Sequence, residues 1–414
     1  MSSQQPPRAG HAPTLFCALL YFEVSFLVWL LPGALGNDLA QAFGLSPFRK
    51  GLMVAIPILG GALLRVVMGV LADRKGAKRA AMLGLAITVV PLLLGWLWVR
   101  DFAQLLVVGL LLGVAGASFA AALPLGGRWY PAQRQGLVLG IVGLGNSGTA
   151  VATMFGPLLA RLVGWHGVFG LALIPVIGAF AALALLARES PTQPPPKPLG
   201  AYLALLRQAD AYWFSLFYAV TFGGFVGLCA FMPIFLRDQY QLSNTHAGSL
   251  ATVAALCGAL IRPLGGTLSD RFGGARLLLV FYLGLGLLSL ALAGLPPLAL
   301  TVLTLIGIML LLGMGNGAVF QLVPQRFPSE IGVASGVVGA AGGLGGFLLP
   351  VLLGAVRQSG SFAWGFLLCA LVSWAAATLV AKLGSNWEHG LPNRGARLGV
   401  ALPDLQLVGS AEPV

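Results

Sequence analysis

The stretch GALLRVVMGVLADRKGAKR, residues 61–79, recurs as GALIRPLGGTLSDRFGGAR at residues 258–276. The copies lie 197 positions apart and agree at ten of nineteen positions. Each carries one arginine, Arg65 or Arg262, inside an apolar run. Each reaches Asp-Arg eight residues later, then glycine and a basic turn. A duplicated arginine in apolar surroundings is costly to keep, so what the pair holds is the main functional question.

Composition sets the environment. Of 414 residues, 58% are hydrophobic and 9% charged, with a mean hydropathy of +0.90. Soluble domains carry about 25% charged residues, so the chain reads as an integral membrane protein. The 58 glycines and 26 prolines sit inside apolar runs rather than in a low-complexity segment, and glycine is common where membrane helices pack closely. The net charge of +12 does not point to nucleic acid, because the basic residues are spread over short loops. Cys17, Cys229, Cys257 and Cys369 fall within apolar runs with no metal or disulfide spacing, and read as small packing residues. The first apolar run is too long for a signal peptide and reads as a retained span.

A spanning helix needs about 20 mostly apolar residues. Twelve such runs occur, at 15–37, 47–72, 78–98, 102–126, 134–160, 166–187, 210–237, 245–270, 277–296, 298–324, 331–357 and 362–383. With the N-terminus inside, cytoplasmic segments hold 16 Lys and Arg and outer loops six, which places both termini in the cytoplasm. The repeat then divides the chain into a cytoplasmic N-terminal tail (1–14), a six-helix bundle (15–187), a Pro-rich cytoplasmic linker (188–209), a second six-helix bundle (210–383) and a cytoplasmic tail (384–414). The repeated stretches occupy the second span of each half and the loop after it. Parallel repeats of this kind place a substrate site near the midplane, between the halves.

Two features carry a resemblance. The loop GVLADRKGAKR, Gly69 to Arg79, resembles the motif between the second and third spans of the major facilitator superfamily, and GTLSDRFGGAR repeats it. The runs GIVGLGNSGTA, Gly140 to Ala150, and GAAGGLGGFLLP, Gly339 to Pro350, resemble the paired glycine-rich signatures of the nitrate/nitrite porter family. That resemblance spans helices one to twelve. It implies the major facilitator fold: all-α, with twelve transmembrane helices in two pseudo-symmetric six-helix bundles. It also implies an anion clamp by Arg65 and Arg262, with Asn146, Phe119, Tyr218 and Phe222 as further substrate contacts. The charged ends Asp73, Arg74, Arg79, Asp270, Arg271 and Arg276 would form a cytoplasmic gate.

Read physically, Arg65 and Arg262 lie eight residues, roughly 12 Å, deeper than Asp73 and Asp270. That is near the middle of a hydrocarbon core about 30 Å thick, where each arginine costs at least about 2.5–3.5 kcal/mol on insertion scales. Glu23 is the one acid well inside a span. Two cations against one acid make a site that attracts an anion. The planar guanidinium fork suits a planar oxyanion; nitrate fits, as do nitrite and a small carboxylate. The glycines Gly140, Gly143, Gly145 and Gly148, and Gly339, Gly342, Gly343, Gly345 and Gly346, are expected to let helices approach closely. An amide at Asn146 can donate to an oxyanion or to a neighbouring helix. Tyr218 and Phe222, four residues apart, share a helical face.

Glu23 is a candidate proton carrier or arginine partner. Carrying one anion into a negative-inside cell costs about 2.3 kcal/mol per 100 mV, so uptake needs a co-transported cation or exchange. The sequence therefore reads as a secondary transporter of nitrate, with nitrite as a further cargo, working by alternating access and coupled to protons through Glu23. A nitrate/nitrite antiporter and a carrier of another small anion, such as a monocarboxylate, are the alternatives. An anion sensor ranks lower, since no long loop or tail offers a signalling domain. No catalytic pair, metal cluster, cofactor motif or nucleic-acid site is expected. GIVGLGNSG lacks the strand a dinucleotide loop requires. Expected partners are the small anion, protons and the lipid bilayer, with the chain as a monomer.

Overall fold

The computed structural model describes residues 10–130, 132–191, 200, 205, 207–327 and 331–388. Among these every regular element is helical, as the apolar runs require. The first span is built in three pieces: α1 (Ala12–Trp29), α2 (Leu31–Ala34) and α3 (Gly36–Ala42). It is followed by α4 (Pro47–Lys75), α5 (Ala77–Leu97), α6 (Phe102–Gly116) and α7 (Phe119–Gly127). Then come α8 (Ala132–Gly143), a 3-10 turn (Leu144–Ser147), α9 (Gly148–Leu171) and α10 (Leu173–Leu186). The second half comprises α11 (Ala209–Tyr240), α12 (Asn244–Leu260), α13 (Arg262–Phe272), α14 (Gly274–Ala293), α15 (Leu298–Arg326), α16 (Ile331–Gln358) and α17 (Ala363–Glu388).

Among the described residues, eleven helical stretches are long and apolar enough to cross a membrane. The twelve expected crossings are reconciled by the stretch Val138–Leu186, whose 49 residues would measure roughly 70 Å as one helix, more than twice a bilayer core. Gly164, at φ 71 and ψ 161, breaks it into two spans. Residues 1–9 and 389–414 of the expected tails, and most of the expected linker, lie outside the described residues.

Local chemistry sets the helix ends. Ser46 accepts from the Arg49 backbone N–H ahead of Pro47, Asp101 from Gln104, and Ser243 from His246, each satisfying a donor in the first turn. The glycine shared by the two repeated loops has a backbone reason. Gly76 has φ 97 and Gly273 φ 94, a region that L side chains avoid. The Glu189 carboxylate accepts from the Ala77 and Lys78 N–H groups at 2.8 and 3.0 Å and caps α5.

The halves meet mainly where α16 packs on α4 and α12 on α9, with smaller contacts from α11. They are tied tightly at the end opposite Asp73 and Asp270. There Lys50 bonds Asp238 at 2.7 Å, Asn37 donates to the Pro233 carbonyl at 2.9 Å, and Asn244 donates to Asp38 at 2.7 Å. Deeper in, the Thr153 and Thr252 hydroxyls meet at 2.9 Å. At the other end, Asp73–Arg128 and Asp210–Arg326 each join helices of the same half.

Candidate anion site

Arg65 projects from the continuous helix α4 and is 1% exposed. Its Nη1 donates to the Gly339 carbonyl of α16 at 2.6 Å, across the interface between halves. Its Nη2 donates to the Gly116 carbonyl at 3.1 Å. Gly116 ends α6 at the Gly-Ala-Ser break before α7, where helix-end carbonyls lose their backbone partners. The Arg65 Nε has no hydrogen-bond partner.

Arg262 is equally deep but differently mounted. Pro263 cannot donate into the helix, so span eight breaks at Ile261 and Arg262 opens α13. Arg262 is 9% exposed and its Nη1 is unpartnered. Both guanidiniums lie over the same ring: Arg65 Cζ is 5.4 Å and Arg262 Cζ 5.6 Å from the Phe119 centroid. The two guanidinium carbons are therefore no further apart than the sum of those distances, about 11 Å. Arg65 also lies over Phe222 at 5.1 Å. Contacts within about 6 Å of a ring face are attractive for a cation.

Tyr218 and Phe222 stack in parallel, centroids 5.0 Å apart. The Tyr218 hydroxyl is buried, makes no hydrogen bond of good geometry, and faces the Arg262 guanidinium, with the charges of Arg262 and Arg65 acting on it. Asn146 sits in the 3-10 turn, 1% exposed, with both amide atoms unpartnered. A mid-helix 3-10 segment often marks a functional hinge. An unsatisfied buried polar group costs about 1–3 kcal/mol. The orphaned Asn146 amide, Tyr218 hydroxyl and arginine N–H groups thus have unused capacity for a polar ligand.

The glycines divide by what they approach. Gly339 and Gly342 of α16 lie against Arg65 and against Tyr218 and Phe222; a Cβ at Gly342 would meet Tyr218 Cδ1 at 2.5 Å. A Cβ on Gly143 would lie 3.7 Å from Arg262 Nε, and one on Gly140 would lie 3.6 Å from Pro263. Each signature thus faces the other half's arginine. Gly145 and Gly148 press on Phe22 and Glu23 of α1, Gly343 on Ala62, Gly345 on Ala219 and Gly346 on Val226.

Three kinds of site residue are absent from the sequence reading. Phe320 packs on Tyr218 at 4.8 Å and on Phe119 at 5.5 Å, and Phe22 on Phe119 at 5.6 Å. Both complete the aromatic wall. Asn316, one helical turn from Phe320, is 1% exposed with both amide atoms unpartnered. The 197-residue offset that relates the arginines also maps Phe119 onto Asn316, a signal that could have found it. The backbone acceptors Gly116 and Gly339 have no such sequence mark.

Glu23 stands apart from the arginines. Its Oε2 accepts from the Ser147 hydroxyl at 2.7 Å. Of the charged loop ends, Asp73 bonds Arg128 at 2.5 Å, while Arg74, Arg79, Asp270, Arg271 and Arg276 are exposed. Among the described residues no carboxylate pairs with Arg65 or Arg262, and no cluster of His, Cys, Asp or Glu could hold a metal. The chemistry available is two converging cationic forks in an aromatic, water-poor enclosure, which strengthens any contact to an anion.

A sequence model of the Major Facilitator Superfamily matches residues 17–326. The chain is 34% identical to the nitrite extrusion protein of Bacillus subtilis (strain 168), over 91% of this chain and 95% of that protein. It is 35% identical to the probable nitrate/nitrite transporter NarK2 of Mycobacterium tuberculosis, over 90% and 96%. The probable nitrate/nitrite antiporter NarK1 of Thermus thermophilus is 31% identical, over 92% of each chain. In fold it resembles a bacterial homolog of the human lysosomal transporter Spinster, solved inward-facing and occupied. The TM-score is 0.65 at 19% identity, covering 94% of this chain and 97% of the other.

Proposed function

We propose that this chain, which belongs to the nitrate/nitrite porter family of the major facilitator superfamily, carries nitrate, with nitrite as a further cargo, by alternating access. The observation that carries the reading is the convergence of Arg65 and Arg262 on one Phe119 ring with guanidinium N–H groups still unpartnered. The names of the relatives all include nitrite, two of the three also include nitrate, and they differ on mode: extrusion, transport and antiport. Substrate contacts are assigned to Arg65, Arg262, Asn146, Phe119, Tyr218 and Phe222.

The protein works in the cytoplasmic membrane as a monomer, with both termini in the cytoplasm. Residues 15–187 and 210–383 act as the two rocking bundles, joined by the linker 188–209. The ties at Lys50, Asn37 and Asn244 then close the outer end. Asp73, Arg74, Arg79, Asp270, Arg271 and Arg276 form the cytoplasmic gate. Glu23 supplies proton coupling, which offsets the electrical cost of anion entry. Exchange of nitrate for nitrite is the second reading, favoured by the antiporter name of the Thermus relative.

The test is nitrate and nitrite flux in proteoliposomes, with and without a pH gradient, for wild type, Arg65→Lys and Arg262→Lys. Lysine keeps the charge and loses the fork, so both variants should lose most of the flux. Full transport by both would overturn the clamp. Competition by a monocarboxylate but not by nitrate would reassign the cargo. Flux that ignores the pH gradient and requires an anion on the opposite side would favour exchange.

A further inference from the structure

We infer that Ser147 is a positioning residue that makes placement of Asn146 depend on the protonation of Glu23. This rests on the transporter reading and deepens it. The Ser147 hydroxyl lies 2.7 Å from Glu23 Oε2 and 2.7 Å from the Leu144 carbonyl oxygen. Two acceptors compete for one hydroxyl proton. With Glu23 ionised, Ser147 donates to the carboxylate and the Leu144 carbonyl loses its side-chain donor. With Glu23 protonated, the carboxylic acid donates to Ser147 Oγ and Ser147 donates to Leu144. The proton comes from water, one O–H bond forms on the carboxylate, and no other covalent bond changes.

Leu144 and Ser147 are the first and last residues of the 3-10 turn, and Asn146 lies between them. Protonation therefore closes the turn around the residue whose amide is free for the anion. The turn also rides on the peptide of Glu23: a Cβ at Gly145 would meet the Glu23 backbone N at 2.9 Å, and Gly148 abuts the Glu23 carbonyl. Phe22, the neighbour of Glu23, touches Phe119, beneath which both arginines converge. The linkage is reciprocal: if protonation favours nitrate, nitrate favours protonation, and the two travel together.

Among the described residues, Ser147 is the side chain hydrogen-bonded to Glu23. Helices α6 to α10, the 3-10 turn and α2 pack against α1. At the end of α7, Arg128 is paired with Asp73. On α9, Arg161 donates to Thr245 and His166 contacts the Val99 carbonyl. The side chain of Arg134 on α8 lies outside the described residues. On α1 itself, Cys17 donates to the Ala182 carbonyl, and Tyr21 is the other titratable group.

The experiment measures nitrate affinity of the purified protein in liposomes against pH, for wild type, Glu23→Gln, Ser147→Ala and Ser147→Thr. In wild type, the nitrate Kd should rise with pH, by up to about tenfold per unit, the limit for one linked proton. Glu23→Gln mimics the protonated acid and should bind tightly with no pH slope. Ser147→Ala should bind weakly with no pH slope, because the turn loses its donor at every pH. Ser147→Thr keeps the hydroxyl and should keep the slope. Nitrate-induced infrared difference spectra should show a carboxylic acid band that is absent in Glu23→Gln and displaced in Ser147→Ala. A wild-type slope that persists in Ser147→Ala, a slope lost in Ser147→Thr, or a pH-independent wild type would overturn the linkage. Wild type that binds no nitrate at any pH would instead overturn the transporter reading.

Discussion

Arg65 and Arg262 stand in matched sequence contexts and in different mechanical ones. The difference begins one residue later, at Val66 in the first copy and Pro263 in the second. Valine lets α4 run unbroken through Arg65, while proline ends α12 and makes Arg262 the first residue of a new helix. Arg65 is held by two carbonyls, one of them from the opposite half. The Arg262 Nη1 has no partner. One arginine is thus an anchored strut between the halves and the other an available hand. An anion that competes for the Arg65 Nη1 weakens the tie to Gly339, which couples occupancy to separation of the halves at that point.

The sharpest way to break this comparison is to truncate each arginine and measure two quantities. Nitrate affinity should fall at least about a hundredfold in both Arg65→Ala and Arg262→Ala, as two charge-assisted hydrogen bonds worth about 1.5–3 kcal/mol each are lost. Thermal melting should separate them. Arg65→Ala strips the donors from the Gly339 and Gly116 carbonyls, a cost of about 1–3 kcal/mol per orphaned group, and should melt earlier. Arg262→Ala leaves no such acceptor behind and should melt with wild type. Equal losses of stability would erase the distinction between strut and hand.

The sequence carried the fold almost whole. Hydropathy located the spans, and the duplication pointed to two halves. Arg65, Arg262, Phe119, Tyr218 and Phe222 were readable in the sequence and form one connected set of contacts, while Asn146 is buried in the 3-10 turn. The asymmetry was less so. Pro263 was in plain view, but a proline inside a membrane helix does not by itself say which way the freed backbone turns. The acceptors at Gly116 and Gly339 are carbonyls, which every residue has. Phe22 and Phe320 looked like any other apolar residues in a span. Glu23 was identifiable as an expensive acid, whereas its partner Ser147 became meaningful only once the turn brought the two together.

The glycine signatures extend the comparison with an intermediate effect. In the first signature, Gly148 abuts the Glu23 carbonyl, whereas a Cβ at Gly140 or Gly143 would find its nearest neighbour across the interface at 3.6 or 3.7 Å, ordinary van der Waals contact. In the second, Gly345 abuts the Ala219 carbonyl. A methyl group forced against fixed backbone shifts helices and costs about 1–3 kcal/mol. Gly148→Ala and Gly345→Ala should therefore lower melting and expression, while Gly140→Ala and Gly143→Ala should fold like wild type. Uniform tolerance at all four positions would mean that the helices are not locked at these contacts.

The smallest expected effect tests whether Arg262 has help from its own half. Asn316 and Phe119 are related by the same 197-residue offset as the two arginines, yet one is polar and the other apolar. Asn316 lies one turn from Phe320, which packs on both Tyr218 and Phe119, and its buried amide has no partner. If that amide serves the anion, Asn316→Ala should weaken nitrate by about five- to tenfold, the worth of one hydrogen bond of about 1–1.5 kcal/mol. Melting should hold or rise, because an unsatisfied buried group is removed. Asn146→Ala should behave in the same way from the other half. If Asn316→Ala instead leaves affinity untouched while Asn146→Ala reduces it, the polar contacts beyond the arginines belong to the first half alone, and the enclosure is more lopsided than its two arginines suggest.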